Sequence, residues 1–435
     1  LFEQFLLITF SHDDTKQSLL VLQEPNMNTI AERYVKLVLN IGVYDGDYVD
    51  AYYGPEEWKP SGGSSAKKEQ FPFADFNKEV QSLLNSLNTS ETTKLGPIEK
   101  LRHASMAKQL IAVRCRILLI SGKKLLFDEE SRQTYDAVAP AFPDSHYKEL
   151  LDELGRLLPG VGKVSDRLER YKQLFVIPKE KLDAVFKAAI AEGRRRTLQH
   201  IALPSTESFT VEYVNNKPWS GYNWYKGNSF SVIQVNTDLP IFIDRAVDLA
   251  CHEGYPGHHV YNMLMEKNLF RERGWMEFSV YPLFSPQSLI AEGSANFGIE
   301  VALPGEERVR FEREVLFPLA GLDPSKAEEY YKIQTVKAKL DYAGNESARN
   351  YLDGKWSKEE AVEWLVTYAL FSPERAMQRV GFIERYRSYV INYNLGQDMV
   401  RTYIENRGGD AAHIELRWKL FEELLSQPHT PSDLR

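Results

Sequence analysis

The sequence predicts a mainly α-helical fold: a large helical domain with a small β element just ahead of a histidine-bearing helix. Three observations predict it. Apolar residues recur at helical spacing through most of the chain. Strand-like composition, rich in β-branched and aromatic residues, is confined to about residues 208–236. No run approaches the ~20 apolar residues that a membrane-spanning helix needs.

The first clear helix is "AERYVKLVLNIG", Ala31 to Gly42, where Tyr34, Val35, Leu37, Val38 and Ile41 share a face and Gly42 is a stop. Pro97 to Gly122 repeats the pattern over about seven turns. Further helices are expected near 75–88, 144–157, 164–174 and 178–202, then near 286–302, 306–318, 324–342, 357–370, 373–404 and 411–425. Ser357-Lys-Glu-Glu360 reads as a capping box, and Ser372-Pro373-Glu374 as another helix start. The run Arg194-Arg195-Arg196 falls inside a helix and reads as a solvated face. The first ten residues, "LFEQFLLITF", lack the basic leader and small-residue cleavage site of a signal peptide and read as a terminal helix. Lys59 to Gln70, "KPSGGSSAKKEQ", reads as a surface loop.

Two strands are expected, Ser208 to Val214 and Ser229 to Asn236, as a hairpin or small sheet, with Gly221 and Gly227 as turn residues between them. Trp219, Tyr222, Trp224 and Tyr225 in that connection cover the sheet or line a cleft. The sheet leads into a helix that Thr237 or Asp238 is expected to cap, with Pro240 in its first turn. Neither an internal repeat nor a linker divides the chain. A single domain over 1–435 is therefore expected, with a possible helical subdomain over 1–203 and a catalytic part over 204–435.

The net charge of -8 argues against nucleic acid or an anionic membrane as the main partner. Only Cys115 and Cys251 occur, which excludes a disulfide framework and fits a reducing compartment; a cytoplasmic location is expected. Cys251 precedes His252, but adjacent helical residues point about 100° apart, so it reads as a buried thiol.

The chemistry concentrates in "HEGYPGHH", His252 to His259. In a HExxH helix two histidines four apart meet one metal ion and the glutamate handles protons. Here Pro256 stands where the second histidine belongs. On a straight helix His258 would lie about 9 Å along the axis and about 120° around from His252, too far to share a zinc ion at ~2.0–2.1 Å. The helix therefore has to deform. Pro256 has no N–H to donate and clashes with the carbonyl of His252, and Gly257 frees the backbone to re-enter a helix. Treating Pro-Gly as a two-residue insertion returns His258 to the ligand position, with His259 the competing ligand.

A catalytic zinc site wants a third protein ligand. "SPQSLIAEGSANFGIE" offers Glu292, on a helix started by Ser285-Pro286, in apolar surroundings where an unpaired carboxylate is costly. Gly293, Ser294 and Ala295 let another element approach. Glu300 is eight residues on, about 80° around, and is a candidate for orienting a histidine.

"HEGYPGHH" followed by "LIAEGSANFGIE" resembles a large bacterial family, domain-of-unknown-function family 885, whose members look like gluzincin-like zinc metallopeptidases with the pattern His-Glu-x-x-Pro-Gly-His. The match falls at His252, Glu253, Pro256, Gly257, His258, Glu292, Gly293 and Glu300, with "YVDAYYGPEEW", "PWSGYNWYKG" and "NTDLP" also similar. Tyr261 stands where many relatives have glutamine, and Ser294 to Phe297 replace an aromatic run; neither touches the ligands. Tyr393-Asn-Leu-Gly396 resembles a Tyr-x-x-Gly element of relatives.

The expectation is a zinc metallopeptidase. His252, His258 and Glu292 hold one Zn2+, Glu253 is the general base toward metal-activated water, and Tyr393 steadies the oxyanion. Tyr255, Tyr389 and Arg379 are candidates for contacts with a peptide or small amide substrate. The rivals are a metal- or substrate-binding protein without peptidase activity, and a zinc hydrolase of a non-peptide amide or ester.

Overall fold

The computed structural model describes residues 26–60, 70–217 and 219–435, and the fold is mainly α. The readings made for residues 1–10 and for most of the Lys59–Gln70 loop lie outside the described residues. The N-terminal half holds α1 (Met27–Gly42), α2 (Phe73–Thr89), α3 (Pro97–Ile120), α4 (Phe127–Tyr135), α5 (Asp144–Leu157), α6 (Val164–Lys172) and α7 (Leu182–Thr197). α1 begins where the Asn26 side chain accepts the Thr29 amide, and its Tyr34, Val35, Leu37, Val38 and Ile41 are buried. After the β region come α8 (Asp244–Leu249), α9 (His258–Met265), α10 (Pro286–Ala302), α11 (Gly305–Phe311), α12 (Phe317–Ala320), α13 (Ala327–Ala338) and α14 (Ala343–Leu352). The chain closes with α15 (Lys358–Tyr368), α16 (Pro373–Tyr386), α17 (Ile391–Glu405) and α18 (Ile414–Leu425). The Ser357 capping box forms, and Ser372 caps α16 through the Arg375 amide.

Two buried hydrophobic clusters hold these helices, and each draws on both halves of the sequence. One joins Tyr147 and Val185 to Phe297 and Phe421. The other joins Tyr34 and Leu110 to Leu289 and Ile391. Packing thus runs across residue 203. Among the described residues no helix is long and apolar enough to cross a membrane.

Five short strands form two sheets. β2 (Ser208–Val214) and β4 (Phe230–Asn236) are the two expected strands, but they pair in parallel, from Ser208 opposite Phe230 to Val214 opposite Asn236. They are not a hairpin. The connection supplies β3 (Gly221–Tyr225), antiparallel to β4, and this crossover allows the parallel pairing. β1 (Val49–Tyr52) and β5 (Val280–Pro282) form a second, antiparallel pair that the sequence did not signal, being too short for an alternating pattern.

Four other expectations are corrected. The histidine-bearing helix begins at Asp244 rather than near Pro240, because the chain is still engaged in backbone pairing there: Ile177 N donates to Ile241 O at 2.9 Å and Ile243 N to Phe175 O at 2.9 Å. The helix expected over 373–404 divides at Arg387, whose φ is 55°. Buried Glu130 of α4 draws that joint inward, accepting from Arg387 Nε at 2.6 Å and from the Ser388 hydroxyl at 2.6 Å. α4 and α14 went unseen because polar and charged residues interrupt their buried faces: Glu130, Ser131 and Thr134 lie between Phe127 and Tyr135 on α4, and α14 buries Asn345, Glu346, Ser347 and Arg349 among small residues. The Arg194–Arg196 run is not simply solvated: Arg194 bonds Glu207, and Arg196 bonds Glu307 and the Ala302 carbonyl.

The closest crossing in the core is that of α10 with α17. A Cβ at Gly293 would fall inside the Gly396 backbone, and one at Gly396 would meet the Leu289 carbonyl oxygen at 2.6 Å. Only glycine at both positions lets the backbones touch. Gly396→Ala is expected to lower stability by about 1–3 kcal/mol through overpacking, read as a fall in the urea midpoint. Gly381→Ala, on α16 with nothing within 4 Å, is expected to hold or raise it.

Candidate metal centre

Residues 250–265 do not continue the helix. After α8, Ala250–Gly254 make one wide π turn, closed by Tyr255 N donating to Ala250 O at 3.1 Å. Tyr255 then turns extended, the Tyr255–Pro256 peptide is cis, and Gly257 N reaches back six residues to Cys251 O at 2.9 Å. α9 starts at once with His258. A Cβ at Gly257 would overlap the carbonyl oxygens of both Cys251 and His252, so this reversal requires glycine.

The reversal brings together side chains that a straight helix would separate. His252 Nε2 and His258 Nε2 are 3.1 Å apart, and Glu292 Oε2, from α10, is 3.3 Å from the first and 3.6 Å from the second. Around a tetrahedral ion with bonds of about 2.0–2.1 Å, donor atoms are about 3.3–3.4 Å apart, so these three atoms are spaced as one face of such a shell. His252, His258 and Glu292 form a group able to hold a metal ion. Glu292 Oε2 is buried with no hydrogen-bond partner among the described residues, although its other oxygen accepts the Tyr389 hydroxyl at 2.6 Å. A buried carboxylate oxygen without a donor, facing two imidazoles, fits a cation between them.

The surrounding bonds fix the donors. Asn296 Oδ1 accepts from His252 Nδ1 at 2.9 Å, which puts the proton on Nδ1 and leaves Nε2 its lone pair. Asn296 is held in turn, its amide donating to the Tyr393 carbonyl at 2.9 Å. Burial acts to raise the Glu292 carboxyl, but the facing His258 and His252 outweigh it and hold it well below the usual carboxylate range. Burial acts to lower His258, and Glu292 outweighs it, lifting the imidazole to about 9. Glu253 is raised by burial, partly offset by the two histidines. Its carboxylate faces the cavity and lies beside β3, where a Cβ on Gly221 would meet Glu253 Oε1 at 2.9 Å.

His259 is not a ligand. It is fully buried, with Nδ1 2.8 Å from the Ser231 hydroxyl on β4 and Nε2 3.1 Å from Glu207 Oε2. Tyr255 is corrected as well: it is buried away from the cavity and donates to Glu207 at 2.6 Å. Glu207 also takes Arg194, and although its burial opposes charge, these contacts hold its carboxyl near about 2. Tyr255, His259, Arg194 and Glu207 thus brace the Pro-Gly bend from below. Glu300 does not orient a histidine; it pairs with Gln397 and Arg401, and Asn296 has the role expected of it. The sequence signal for Asn296 was its place four residues after Glu292, one turn along the same face.

The site opens into a cavity of 1890 Å³ that Glu253, Tyr389, Tyr393 and Arg379 all line. Trp219 and Tyr222 line it too, whereas Trp224 bonds Gln234 and Tyr225 bonds Glu266. Asp50 of β1 went unnoticed in the sequence. It faces the same cavity, accepts the Tyr222 hydroxyl, and is raised by burial to about 6. A lone acid among aromatic residues in "YVDAYYG" was the available signal.

No family model matches the sequence, and no curated protein matches it. Among solved structures, a "putative lipoprotein" from Colwellia psychrerythraea is similar with a TM-score of 0.51 at 13% identity, over 87% of this chain and 69% of that one. A "putative lipoprotein of unknown function" from Shewanella oneidensis has a TM-score of 0.46 at 13% identity, over 83% and 71%. The first likeness is one of fold.

His259→Ala is expected to destabilise the protein by about 3 kcal/mol, since it strips a partner from buried Glu207. Gly257→Ala is expected to cost more than the ~1–3 kcal/mol of ordinary overpacking, because backbone rather than a side chain must move. Chemical denaturation of both variants beside the parent measures this.

Proposed function

We propose that this chain is a zinc-dependent hydrolase of peptide bonds and a member of the bacterial family that its motif resembles. One ion would be held by His252 Nε2, His258 Nε2 and Glu292 Oε2. The observation that carries the reading is the triangle of those atoms, with edges of 3.1, 3.3 and 3.6 Å, closed on a carboxylate oxygen that has no hydrogen-bond donor. A bound zinc ion supplies Lewis acidity, drawing the pKa of water toward ~7 and polarising a carbonyl.

The chain's own groups do the rest. The Glu253 carboxylate, next in sequence to His252 and facing the cavity, accepts a proton from the attacking water and returns it to the leaving amine. The Tyr393 hydroxyl is the donor offered to the developing oxyanion. Among the described residues β3 pairs only with β4. Its free edge therefore has backbone groups for an extended peptide, and it runs beside Glu253. The 1890 Å³ cavity exceeds the roughly 300–1,000 Å³ typical of small-ligand pockets, which favours a peptide several residues long over a small amide or ester. Cytoplasmic work, which two unpaired cysteines fit, belongs to this proposal; the Colwellia neighbour's name favours the cell envelope instead. Cell fractionation separates the two.

Protein purified without chelator is expected to carry about one zinc ion per chain; elemental analysis finding no stoichiometric ion sinks the reading. His258→Ala is expected to lose the ion and His259→Ala to keep it. Asn296→Ala is expected to weaken zinc binding about 10–100-fold, measured by competition with a chelator. Glu253→Gln is expected to retain the metal and lose turnover of fluorogenic peptides by about 10²–10⁴-fold. Unchanged turnover in that variant removes Glu253 from the mechanism.

A further inference from the structure

Guanidinium groups shielded from water are commonly paired among the described residues. Arg102 holds Glu277 at 2.5 Å, Arg349 holds Glu346 at 2.6 Å, and Arg308 holds Glu312 at 2.9 Å. Two arginines on α16, Arg379 half-buried and Arg375 exposed, have no such partner among the described residues. Arg375 and Arg379 are one turn apart on the same face, and both line the cavity that holds the metal centre. Among the described residues neither is joined to a carboxylate by an ion pair or a hydrogen bond. Arg379 lies instead over two aromatic rings, 4.9 Å from the centre of Phe382 and 5.9 Å from that of Tyr393.

The charges around this pair compound the anomaly. Arg245 of α8 lines the same cavity, and its one acid, Asp248 at 3.1 Å, also serves Arg308 at 2.8 Å. Arg375 keeps an exposed side chain, but partial loss of water, with the like charges of Arg245 and Arg379, pushes it down to about 10. Arg379 is lowered by burial as well, with Asp341 the acid that partly offsets it. Both remain cationic at neutral pH. Three guanidiniums lining one cavity, two of them without a carboxylate partner among the described residues, offer a receptor for an anion.

Tyr393 ties the receptor to the metal centre. Its ring touches Arg379 on one side and stands 5.8 Å from the ring of Tyr389, whose hydroxyl holds Glu292. We infer that Arg379, with Arg375 and Arg245 beside it, binds a carboxylate of the substrate, so that the preferred substrates are short peptides with a carboxylate close to the scissile bond. The planar fork of a guanidinium matches a carboxylate through two parallel hydrogen bonds, which favours arginine here. The source is the free C-terminus or an acidic side chain near it. The anion site stands on its own geometry, while its service to peptide cleavage rests on the hydrolase reading above.

The test separates the two. In the Glu253→Gln protein, which is expected to bind without turnover, calorimetry compares an N-acetylated tetrapeptide ending in a free carboxylate with the same peptide amidated, and with an amidated peptide ending in glutamate. The free acid is expected to bind about 10–100-fold more tightly than the plain amide. Recovery of that affinity by the glutamyl amide assigns the carboxylate to a side chain, and its absence to the C-terminus. Adding Arg379→Gln is expected to abolish the preference and Arg379→Lys to restore part of it. Equal binding of acid and amide, or no binding of either, overturns the inference even if the Arg379 variants fail to fold. A metal-loaded parent that cleaves acid and amide equally well also overturns it and leaves the hydrolase reading intact. Carboxylate-selective binding by a protein that never hydrolyses peptides defeats the hydrolase reading alone.

Discussion

The candidate metal centre depends on a backbone constraint: an α-helix cannot bring residues six apart to one point. His252 and His258 meet because the chain abandons helical geometry between them. The π turn loosens the ladder, Pro256 cannot donate to His252, and Gly257 occupies ground where any side chain would strike two carbonyl oxygens. Such a bend lacks regular hydrogen bonds of its own, so its neighbours must hold it. Tyr255 and His259, which bracket the Pro-Gly pair, both reach the buried Glu207, and Arg194 of α7 anchors that carboxylate from the other side. His259 resembles a third ligand by sequence position alone; in the fold it is a strut for the other two.

The third donor depends on a second close approach. Contact between Gly293 and Gly396 seats α17 directly on α10, so that Tyr389 and Tyr393 border Glu292 and Asn296. Four carboxyl groups near the centre then part company according to their neighbours. Burial works against charge in all four. Facing imidazoles keep Glu292 ionised, and a tyrosine, a histidine and an arginine keep Glu207 ionised. Glu253 and Asp50 have weaker compensation, and burial raises both. Four carboxyl groups are thus set apart by their surroundings alone within one site.

Much of this was legible in the sequence where a local rule applied. Apolar periodicity located most helices, the Ser357 box formed as written, and the proline forced the bend that its chemistry requires. What was illegible depended on partners distant in sequence. Nothing within residues 373–404 announces the break at Arg387, because the cause is Glu130 on another helix. Parallel pairing of β2 with β4 could not be told from a hairpin, since alternation fixes which face is buried and not strand direction. Glu300 and Asn296 share one helix, and periodicity could not say which would meet His252, because that follows from how the π turn carrying His252 packs on α10.

The cavity's two ends follow opposite electrostatic logic. At the metal centre three carboxylates, Glu253, Glu292 and Asp50, face two histidines, an arrangement that favours a cation. Across Tyr393 the sign reverses, with Arg375 and Arg379 lacking carboxylate partners among the described residues although carboxylates pair with arginines elsewhere in the protein. Gathering like charges around one space is costly at either end. The cost is relieved when one occupant brings the missing charge to each end. Under the proposed reading, a substrate with its carbonyl at a metal ion and its carboxylate on the guanidiniums would be such an occupant, held in one direction only, because reversing it would set like charges face to face.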